Sequence, residues 1–202
     1  MGYTAIVDYG VGNLKSVANA MTWLGLDTVI TGDAGDLERA EAIILPGVGA
    51  FPDAAEQLQK NNLDREITLQ ALKKPILGIC LGMQMLFETG QEGRPCAGLG
   101  LIPGTVERIE TDCKLPHIGW NSLTFQNDCP LFRGLEDGTY VYFVHSFCGK
   151  ALREKDVAAR TDYGTSVVAA VHRGNVYGCQ FHPEKSGEAG LQILKNFREL
   201  SR

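Results

Sequence analysis

Residues 75–86, PILGICLGMQML, are the stretch that most limits how this chain can fold. Residues 75–79 are apolar and partly β-branched, which predicts a short strand buried on both faces, and residues 83–87 predict the start of a helix. Cys80 therefore lies at a sharp corner between strand and helix. Gly78 and Gly82 leave room there because they carry no Cβ atom. This is the elbow arrangement of a nucleophile, with Cys in place of Ser.

The order of strand, turn and helix recurs through the first half of the chain. Strands are predicted over residues 4–8, 28–31 and 42–45, a helix over residues 14–24, and one or two helices over residues 53–72. Because strands that alternate with helices pair in parallel, we expect an α/β fold with a parallel sheet.

After Gly98 the pattern changes to short β-like runs separated by turn residues. These runs predict hairpins that add strands to the sheet, over residues 104–107, 122–125, 140–145, 157–161, 167–172 and 176–180. A final amphipathic helix, with Ser186 as its N-cap, closes the chain.

Composition limits the classes of function. A length of 202 residues predicts one domain, 1–202, and a net charge of −5 without Lys or Arg clusters argues against binding to nucleic acid or to an anionic membrane. No apolar run approaches the roughly 20 residues of a membrane span. We therefore expect a soluble protein.

The cysteines and histidines do not indicate a metal site or a disulfide framework. The six cysteines include no C-x-x-C pair, and the four histidines show no zinc-binding spacing. With no signal peptide before the first predicted strand, we expect a reduced, cytoplasmic setting. The segment Gly10-Val11-Gly12 lacks the third glycine of a dinucleotide-binding loop, so we expect no cofactor.

Three segments can carry chemistry, and the elbow cysteine is the first. A cysteine is often only a small buried hydrophobe. At the start of a helix, however, free N–H groups and the macrodipole lower the pKa of a thiol and stabilise a developing oxyanion. Cys80 is therefore a candidate nucleophile.

The second segment, GCQFHPEKSG, contains a histidine and a carboxylate that can act together. Pro183 favours extended backbone at His182, and residues two apart in an extended segment point to the same side. His182 and Glu184 can therefore supply the base that a thiol nucleophile needs and the carboxylate that fixes its tautomer. A histidine at a strand end can also be only a surface residue.

The third segment, LPGVGAF, is a Gly-rich turn directly after a predicted strand. It is either a tight connection or an oxyanion loop, in which glycines allow backbone N–H groups to turn toward a carbonyl. Because the C-terminal ends of parallel strands lie on one edge of a sheet, the turns after Leu45 and Ile79 can meet there.

Taken together, G-x-C-x-G at 78–82, H-P-E at 182–184 and P-G-V-G at 46–49 resemble the class I glutamine amidotransferases over essentially the whole chain. The segments DYGVGNLKS, PHIGWN, YFVHSF and FHPEKSG are similar to those of the glutaminase subunits that serve histidine biosynthesis. The resemblance implies a flavodoxin-like, three-layer domain, in which a mostly parallel sheet is flanked by helices and carries added antiparallel strands.

The resemblance also implies an activity. L-glutamine is hydrolysed to glutamate and ammonia, and the ammonia passes to a separate (β/α)₈ cyclase subunit of the heterodimer, which makes imidazole glycerol phosphate and aminoimidazole carboxamide ribonucleotide. Cys80 would form a γ-glutamyl thioester, His182 would act as general base and then acid, and Glu184 would orient His182. Backbone N–H groups of Leu81 and of the Val48/Gly49 turn would form the oxyanion hole. In such families this turn can sit with its carbonyl facing inward until the partner binds its own ligand, which would make activity conditional.

Further roles follow from the same resemblance. The α-amino and α-carboxylate groups of glutamine would be held by Gly49, Gln84, Glu92, His145, Ser146 and Phe147. Phe147 departs from the expected tyrosine, so its contact would come from the backbone. The cyclase interface would include Asn13, Trp120, Asn121, Tyr142 and Lys185, although Trp120 can equally be a core aromatic.

Two alternatives remain open at the level of sequence. One is the glutaminase subunit of another amidotransferase, or a stand-alone γ-glutamyl hydrolase. The other is a noncatalytic binding subunit that keeps the fold.

Overall fold

The computed structural model describes residues 2–201 and shows strands and helices alternating through the first half of the chain. The elements of this half are β1 (Thr4–Val7), α1 (Leu14–Trp23), β2 (Thr28–Thr31), α2 (Ala34–Arg39), β3 (Ala42–Gly47), α3 (Phe51–Lys60), α4 (Leu63–Ala71), β4 (Ile76–Cys80) and α5 (Leu81–Met85). The long helical pattern after residue 53 is two helices, because Asn62 takes a left-handed conformation (φ 54°) between them.

The second half is mostly β-structure. It contains β5 (Phe87–Gly90), β6 (Cys96–Ala97), β7 (Ile102–Arg108), β8 (His117–Ser122), β9 (Thr124–Phe125), β10 (Tyr140–His145), β11 (Phe147–Ala151), β12 (Val157–Asp162), β13 (Ser166–Arg173) and β14 (Val176–Cys179), followed by α6 (Gly187–Glu199). Strands β7, β9, β10, β12, β13 and β14 agree with the sequence pattern to within a few residues, whereas β5, β6 and β11 were not predicted and β8 was predicted only at its last residue.

The main sheet has eight strands in the order β2-β1-β3-β4-β14-β13-β12-β9. The first five are parallel to one another, and β13, β12 and β9 add antiparallel strands at one side. The predicted α/β fold, with a mostly parallel sheet and added antiparallel strands, is confirmed.

Alternating side chains of the central strands pack against different helices, which produces three layers. Ile43 and Leu45 lie in one core with residues of α2, α3 and α4. Ala42 and Ile44 lie in the other core with residues of α1 and α6. Burial on both faces explains why these strands are almost continuously apolar.

Four further details differ from the sequence-based expectations. Helix α2 was not predicted, and α5 ends at Met85, so Phe87 begins β5 and does not continue a helix. Ser186 occupies the N-cap position, but its hydroxyl donates to the backbone oxygen of His182 and does not cap α6.

The fourth difference concerns strand pairing. Strands β11, β7, β5 and β6 form a separate sheet, and β8 and β10 form a two-stranded ribbon, so these strands do not join the main sheet. An alternating pattern identifies a strand but not its partner, because the partner is chosen by packing between distant segments.

Within residues 2–201, no helix is long and apolar enough to cross a membrane. The same residues contain no group of three or more His, Cys, Asp or Glu side chains arranged to hold a metal ion.

Candidate active site

Cys80 lies at the elbow that the sequence predicts. It is the last residue of β4 and immediately precedes α5, with φ 53° and ψ −110°. A non-glycine residue in this region of φ and ψ is strained, and such strain is concentrated at functional sites. Helix α5 has only five residues, so its macrodipole is weak. The expected stabilisation of a developing oxyanion therefore comes mainly from the free N–H groups at the start of the helix.

Two glycines make the elbow possible. A Cβ atom on Gly82 would lie 1.7 Å from the backbone oxygen of Leu45, and one on Gly78 would lie 2.6 Å from the backbone oxygen of Gly82. Neither separation is compatible with van der Waals radii. The sequence-based explanation of G-x-C-x-G as a crowded turn is confirmed.

The register of the main sheet brings the three motifs together. Gly47 of β3 pairs with Cys80 of β4, and Gly178 of β14 pairs with Gly78 of β4. The turn after β3, the elbow after β4 and His182 after β14 therefore lie at one edge of the sheet. This is the place where parallel α/β sheets bind ligands.

His182 and Glu184 form a buried pair. Nδ1 of His182 lies 2.8 Å from Oε1 of Glu184, and their side chains are 2% and 1% exposed. A carboxylate oxygen only accepts, so Nδ1 carries a proton and donates to Glu184. Nε2 of His182 has no hydrogen-bond partner within residues 2–201, which leaves this atom available to a reacting group.

The surroundings of His182 favour its charged form. Burial opposes a positive charge, but Cys80 and Glu184 beside the ring outweigh burial and raise the pKa of His182 to about 9. The imidazole can therefore hold a proton at neutral pH. Such a group is suited to return the proton to a leaving amine.

A cavity of about 320 Å³ opens beside these groups. It is lined by Val48, Gly49, Cys80, Leu81, Gln84, Glu92, Pro116, Val144, His145, Ser146, Phe147 and His182. Every residue predicted to hold glutamine or to form the oxyanion hole lies in this wall. The volume is at the lower end of the range for small-molecule sites, which suits a ligand the size of an amino acid.

Two wall residues have polar partners that set their positions. Nε2 of Gln84 donates to the backbone oxygen of Phe147 at 3.0 Å, so Gln84 is buried and not solvated on its helix. Oε2 of Glu92 accepts from the backbone N–H of Phe51 at 2.8 Å, which fixes this carboxylate at the start of α3. Within the described residues, Glu92 is the one carboxylate that lines the cavity.

Sequence reasoning did not identify Gln180 or Tyr9. Gln180 is fully buried, accepts from Nε2 of Gln84 at 3.1 Å, and has its own Nε2 3.8 Å from the sulfur of Cys80. Tyr9 is buried and donates its hydroxyl to the backbone oxygen of Pro46 at 2.8 Å, which holds the Gly-rich turn. A signal existed for both, since Gln180 is two residues before His182 and Tyr9 follows β1 at the same sheet edge.

The other three buried cysteines, Cys129, Cys148 and Cys179, do not line this cavity. Burial raises the pKa of Cys129 to about 12 and of Cys148 to about 11, and it raises the pKa of Cys179 strongly. These thiols stay protonated at neutral pH and act as core residues. Among the six cysteines, Cys80 is the one that lines the cavity.

Three of the predicted interface residues form a surface cluster. Trp120 is 55% exposed, which excludes the core alternative, and its ring meets Tyr142 edge-on at 6.1 Å. The Lys185 ammonium lies 6.0 Å from the centre of the Tyr142 ring. The backbone oxygen of Tyr142 accepts from the backbone N–H of His182 at 2.9 Å. A single hydrogen bond therefore joins this surface cluster to the site.

The other two interface candidates lie differently. Asn13 is the half-buried N-cap residue of α1, without a side-chain capping bond. Asn121 follows Trp120 in β8, so its side chain points to the opposite face of the ribbon, where it donates to the backbone oxygen of Asp162 at 2.7 Å.

Known proteins resemble this chain in sequence and in fold. The family described as glutamine amidotransferase class-I matches residues 5–200, and the chain belongs to that family. More narrowly, it is 51% identical to the imidazole glycerol phosphate synthase subunit HisH of Caldanaerobacter subterraneus subsp. tengcongensis, over 96% of this chain and 97% of that one. It is 47% identical to the subunit of the same name from Bacillus cereus strain G9842, over 96% and 93% of the two chains.

Solved structures are similar in fold. A crystal structure of a glutamine amidotransferase aligns over 99% of both chains with a TM-score of 0.78 and 21% identity. The structure of PurLQS from Thermotoga maritima aligns over 98% of this chain and 99% of that one, with a TM-score of 0.79 and 24% identity. These likenesses agree with the three-layer α/β architecture.

Proposed function

We propose that this chain is a single glutamine amidotransferase domain that hydrolyses L-glutamine and delivers ammonia to a cyclase partner in histidine biosynthesis. The observation that carries the proposal is the buried His182–Glu184 pair, 2.8 Å apart, which shares one cavity with the strained Cys80. The high identity to HisH subunits over nearly the full chain supports the particular pathway.

The proposed reaction begins with proton transfer and attack. The proton of the Cys80 thiol passes to His182, whose charged form Cys80 and Glu184 stabilise, and the sulfur attacks the side-chain amide carbon of glutamine to form a tetrahedral oxyanion. The backbone N–H of Leu81 and an N–H of the Val48/Gly49 turn stabilise the negative oxygen. The carbon–nitrogen bond then breaks, and His182 gives its proton to the leaving ammonia.

The remaining steps release glutamate. A water molecule, activated by His182, attacks the γ-glutamyl thioester, the carbon–sulfur bond breaks and the thiol is restored. Throughout, Glu184 keeps the proton on Nδ1 of His182, so that Nε2 faces the reacting atoms. The predicted roles of Gly49, Gln84, Glu92, His145, Ser146 and Phe147 in holding the α-amino and α-carboxylate groups are retained as part of this proposal.

We further propose the partner and its docking surface. The partner is the (β/α)₈ cyclase subunit that makes imidazole glycerol phosphate and aminoimidazole carboxamide ribonucleotide, and the heterodimer forms in the cytoplasm. Trp120, Tyr142 and Lys185 form the centre of the docking surface. The predicted interface roles of Asn13 and Asn121 are retained, with Asn121 contributing through its backbone because its side chain points to the opposite face of the ribbon. An exposed tryptophan among polar neighbours is a frequent anchor of a protein interface.

Conditional activity is consistent with the exposure of the oxyanion turn. Val48 is 43% exposed, and Gly49 has φ 109°, a conformation that glycine adopts without strain. A turn with few buried contacts can change conformation when a partner binds beside it.

The test is glutamate release from L-glutamine by the purified chain alone, with the cognate cyclase subunit, and with that subunit carrying its nucleotide ligand. We expect low turnover alone and a strong rise in the last mixture. Free turnover that ignores the cyclase would indicate a stand-alone γ-glutamyl hydrolase or the subunit of another amidotransferase. Absence of turnover in every mixture would indicate a noncatalytic binding subunit.

The docking surface makes a separate prediction. Trp120→Ala should weaken binding of the cyclase subunit by about 2 kcal/mol or more, because a buried aromatic anchor is lost. The matched control is Trp23→Ala, at the end of α1, where the other tryptophan is 76% exposed. Calorimetric titration of each variant with the cyclase subunit measures the effect. Equal affinities of the two variants would place the interface elsewhere.

A further inference from the structure

A series of hydrogen-bonded polar groups runs behind the cavity wall. At its centre is a pair of histidines that have no part in the proton transfers of the proposed mechanism. Nδ1 of His117 lies 3.1 Å from Nε2 of His145, and both rings are almost completely buried. His145 lines the cavity, whereas His117 does not. His117 is stacked between Phe143, at 4.7 Å, and Tyr163, at 4.0 Å.

The hydrogen bond between His145 and Phe147, at the cavity end of the pair, determines where the protons of both rings lie. Nδ1 of His145 lies 2.8 Å from the backbone oxygen of Phe147, and a carbonyl oxygen only accepts. Nδ1 of His145 therefore carries the proton. In a neutral ring Nε2 is then an acceptor, so Nδ1 of His117 must donate to it.

The hydrogen bonds of Asn121, at the other end of this series of polar groups, lead independently to the same position for the His117 proton. The backbone N–H of Ser122 donates to Oδ1 of Asn121 at 2.9 Å, and Nδ2 of Asn121 donates to the oxygen of Asp162 at 2.7 Å. The orientation of this amide is therefore fixed, and its N–H group faces Nε2 of His117 at 3.3 Å. Nε2 of His117 must accept, which again places the proton of His117 on Nδ1.

Burial keeps both rings neutral. It lowers the pKa of His145 to about 4, with His117 and His182 adding to the effect, and it also lowers the pKa of His117. At neutral pH the order of donors is thus from Asn121 to His117, from His117 to His145, and from His145 to the oxygen of Phe147.

The last acceptor in this series is part of the cavity wall. The oxygen of Phe147 accepts from His145 and also from Nε2 of Gln84 at 3.0 Å, so both of its lone pairs are used. Gln84 continues through Gln180 to the sulfur of Cys80. One peptide oxygen therefore holds together two walls of the cavity.

We propose that His117 is a positioning residue for glutamine, which holds neutral His145 in its Nδ1–H tautomer and thereby fixes the Phe147 carbonyl at the cavity wall. The inference rests on the proposed glutaminase function. His117 itself touches no substrate. Its effect passes through one hydrogen bond to His145 and one from His145 to the backbone.

The first test is the tautomeric state of the folded chain. The four histidines are His117, His145, His172 and His182, so ¹⁵N-histidine spectra of the isolated protein at neutral pH contain few signals to assign. We expect His117 and His145 both as neutral Nδ1–H tautomers. An Nε2–H tautomer or a charged ring at either position would overturn the proposal, and this readout does not depend on turnover.

The second test separates positioning from stability. His117→Phe keeps the stacked ring but removes the donor, whereas His117→Asn keeps an N–H close to the Nδ1 position. In the complex with the cyclase subunit and its nucleotide ligand, His117→Phe should raise KM for glutamine about tenfold, because a buried acceptor on His145 loses its partner, and should leave kcat within about threefold. His117→Asn should restore KM to within about twofold of the parent value.

A matched control is His172→Phe. His172 stacks on Tyr177 at 4.5 Å outside the cavity, so this change preserves a stack in the same way and should leave KM unchanged. An unchanged KM in folded His117→Phe would overturn the proposal, as would failure of His117→Asn to rescue KM. Should His117→Phe not fold, the tautomers and the KM of His117→Asn still decide. Absence of turnover by the parent complex would instead count against the proposed function.

Discussion

Replacing Cys80 with alanine is expected to reduce glutamate release by about 10⁴-fold or more, because no other group in the cavity wall can form the thioester. Cys80→Ser should lose nearly as much, since a hydroxyl ionises far less readily than a thiol. The assay is glutamate release in the presence of the cyclase subunit and its ligand. Cys113→Ala, which changes an exposed thiol outside the cavity, is the control and should leave the rate unchanged.

Ammonia-dependent cyclisation distinguishes loss of chemistry from loss of the complex. A Cys80→Ala complex supplied with ammonium salt should still form imidazole glycerol phosphate, because the cyclase then receives ammonia without glutamine hydrolysis. Unchanged glutamate release by Cys80→Ala would remove the thioester mechanism altogether. It would also favour the view that the chain only binds a ligand.

The strained backbone of Cys80 adds a stability component to this prediction. With φ 53° and ψ −110°, Cys80 adopts a conformation that glycine adopts at little cost. Cys80→Gly should therefore be more stable than Cys80→Ala by about 1 kcal/mol, although both are inactive. Urea denaturation of the two variants measures the difference. Equal or lower stability of the glycine variant would show that the elbow stores no backbone strain.

The second large effect is expected from Glu184→Gln, which removes the negative charge while keeping the size of the side chain. Glu184 accepts from Nδ1 of His182 and helps to raise the pKa of His182 to about 9. An amide holds the tautomer less strictly and stabilises the imidazolium less. We expect kcat/KM for glutamine to fall by about 10²-fold or more.

The pH profile gives the sign of the electrostatic effect. His182 must be protonated to release ammonia, so activity should be lost as the pH rises through its pKa, near 9 in the parent protein. Without the carboxylate the pKa falls, and the alkaline limb of the profile should move to lower pH. Glu188→Gln, in the first turn of α6, removes an exposed carboxylate as a control. An alkaline limb in the same place for both variants would mean that Glu184 does not act on His182.

Much of the site could be predicted because it depends on local geometry. The elbow at Cys80 follows from an apolar strand, two glycines and a helix start within a few residues of one another. The sequence predicts the pairing of His182 with Glu184 from extended backbone, and His182 is extended (φ −100°, ψ 96°), but Pro183–Lys185 form a 3₁₀ turn, and Glu184 meets His182 from within this turn. Parallel strands then place the ends of β3, β4 and β14 at one edge, whatever the remaining strands do.

Residues that act through distant partners could not be assigned in the same way. Gln84 has no partner near it in the sequence, yet it is buried against Phe147 and Gln180. His117 had no role in the sequence, because its partner His145 is 28 positions away and becomes its neighbour only when β8 pairs with β10. Residues 116–121 were recognised as a motif, but their hydrogen bonds were not.

The sequence by itself determined the parallel core, the elbow at Cys80 and the histidine–carboxylate pair, because each depends on periodicity or on neighbours within a few residues. Only the tertiary structure decided which strands form the separate four-stranded sheet and the β8–β10 ribbon, which wall residues are buried, and in which tautomer His117 and His145 are held. The physical reason is that burial and strand pairing between distant segments set these properties. A local pattern of apolar and polar residues does not specify the partner that will bury it.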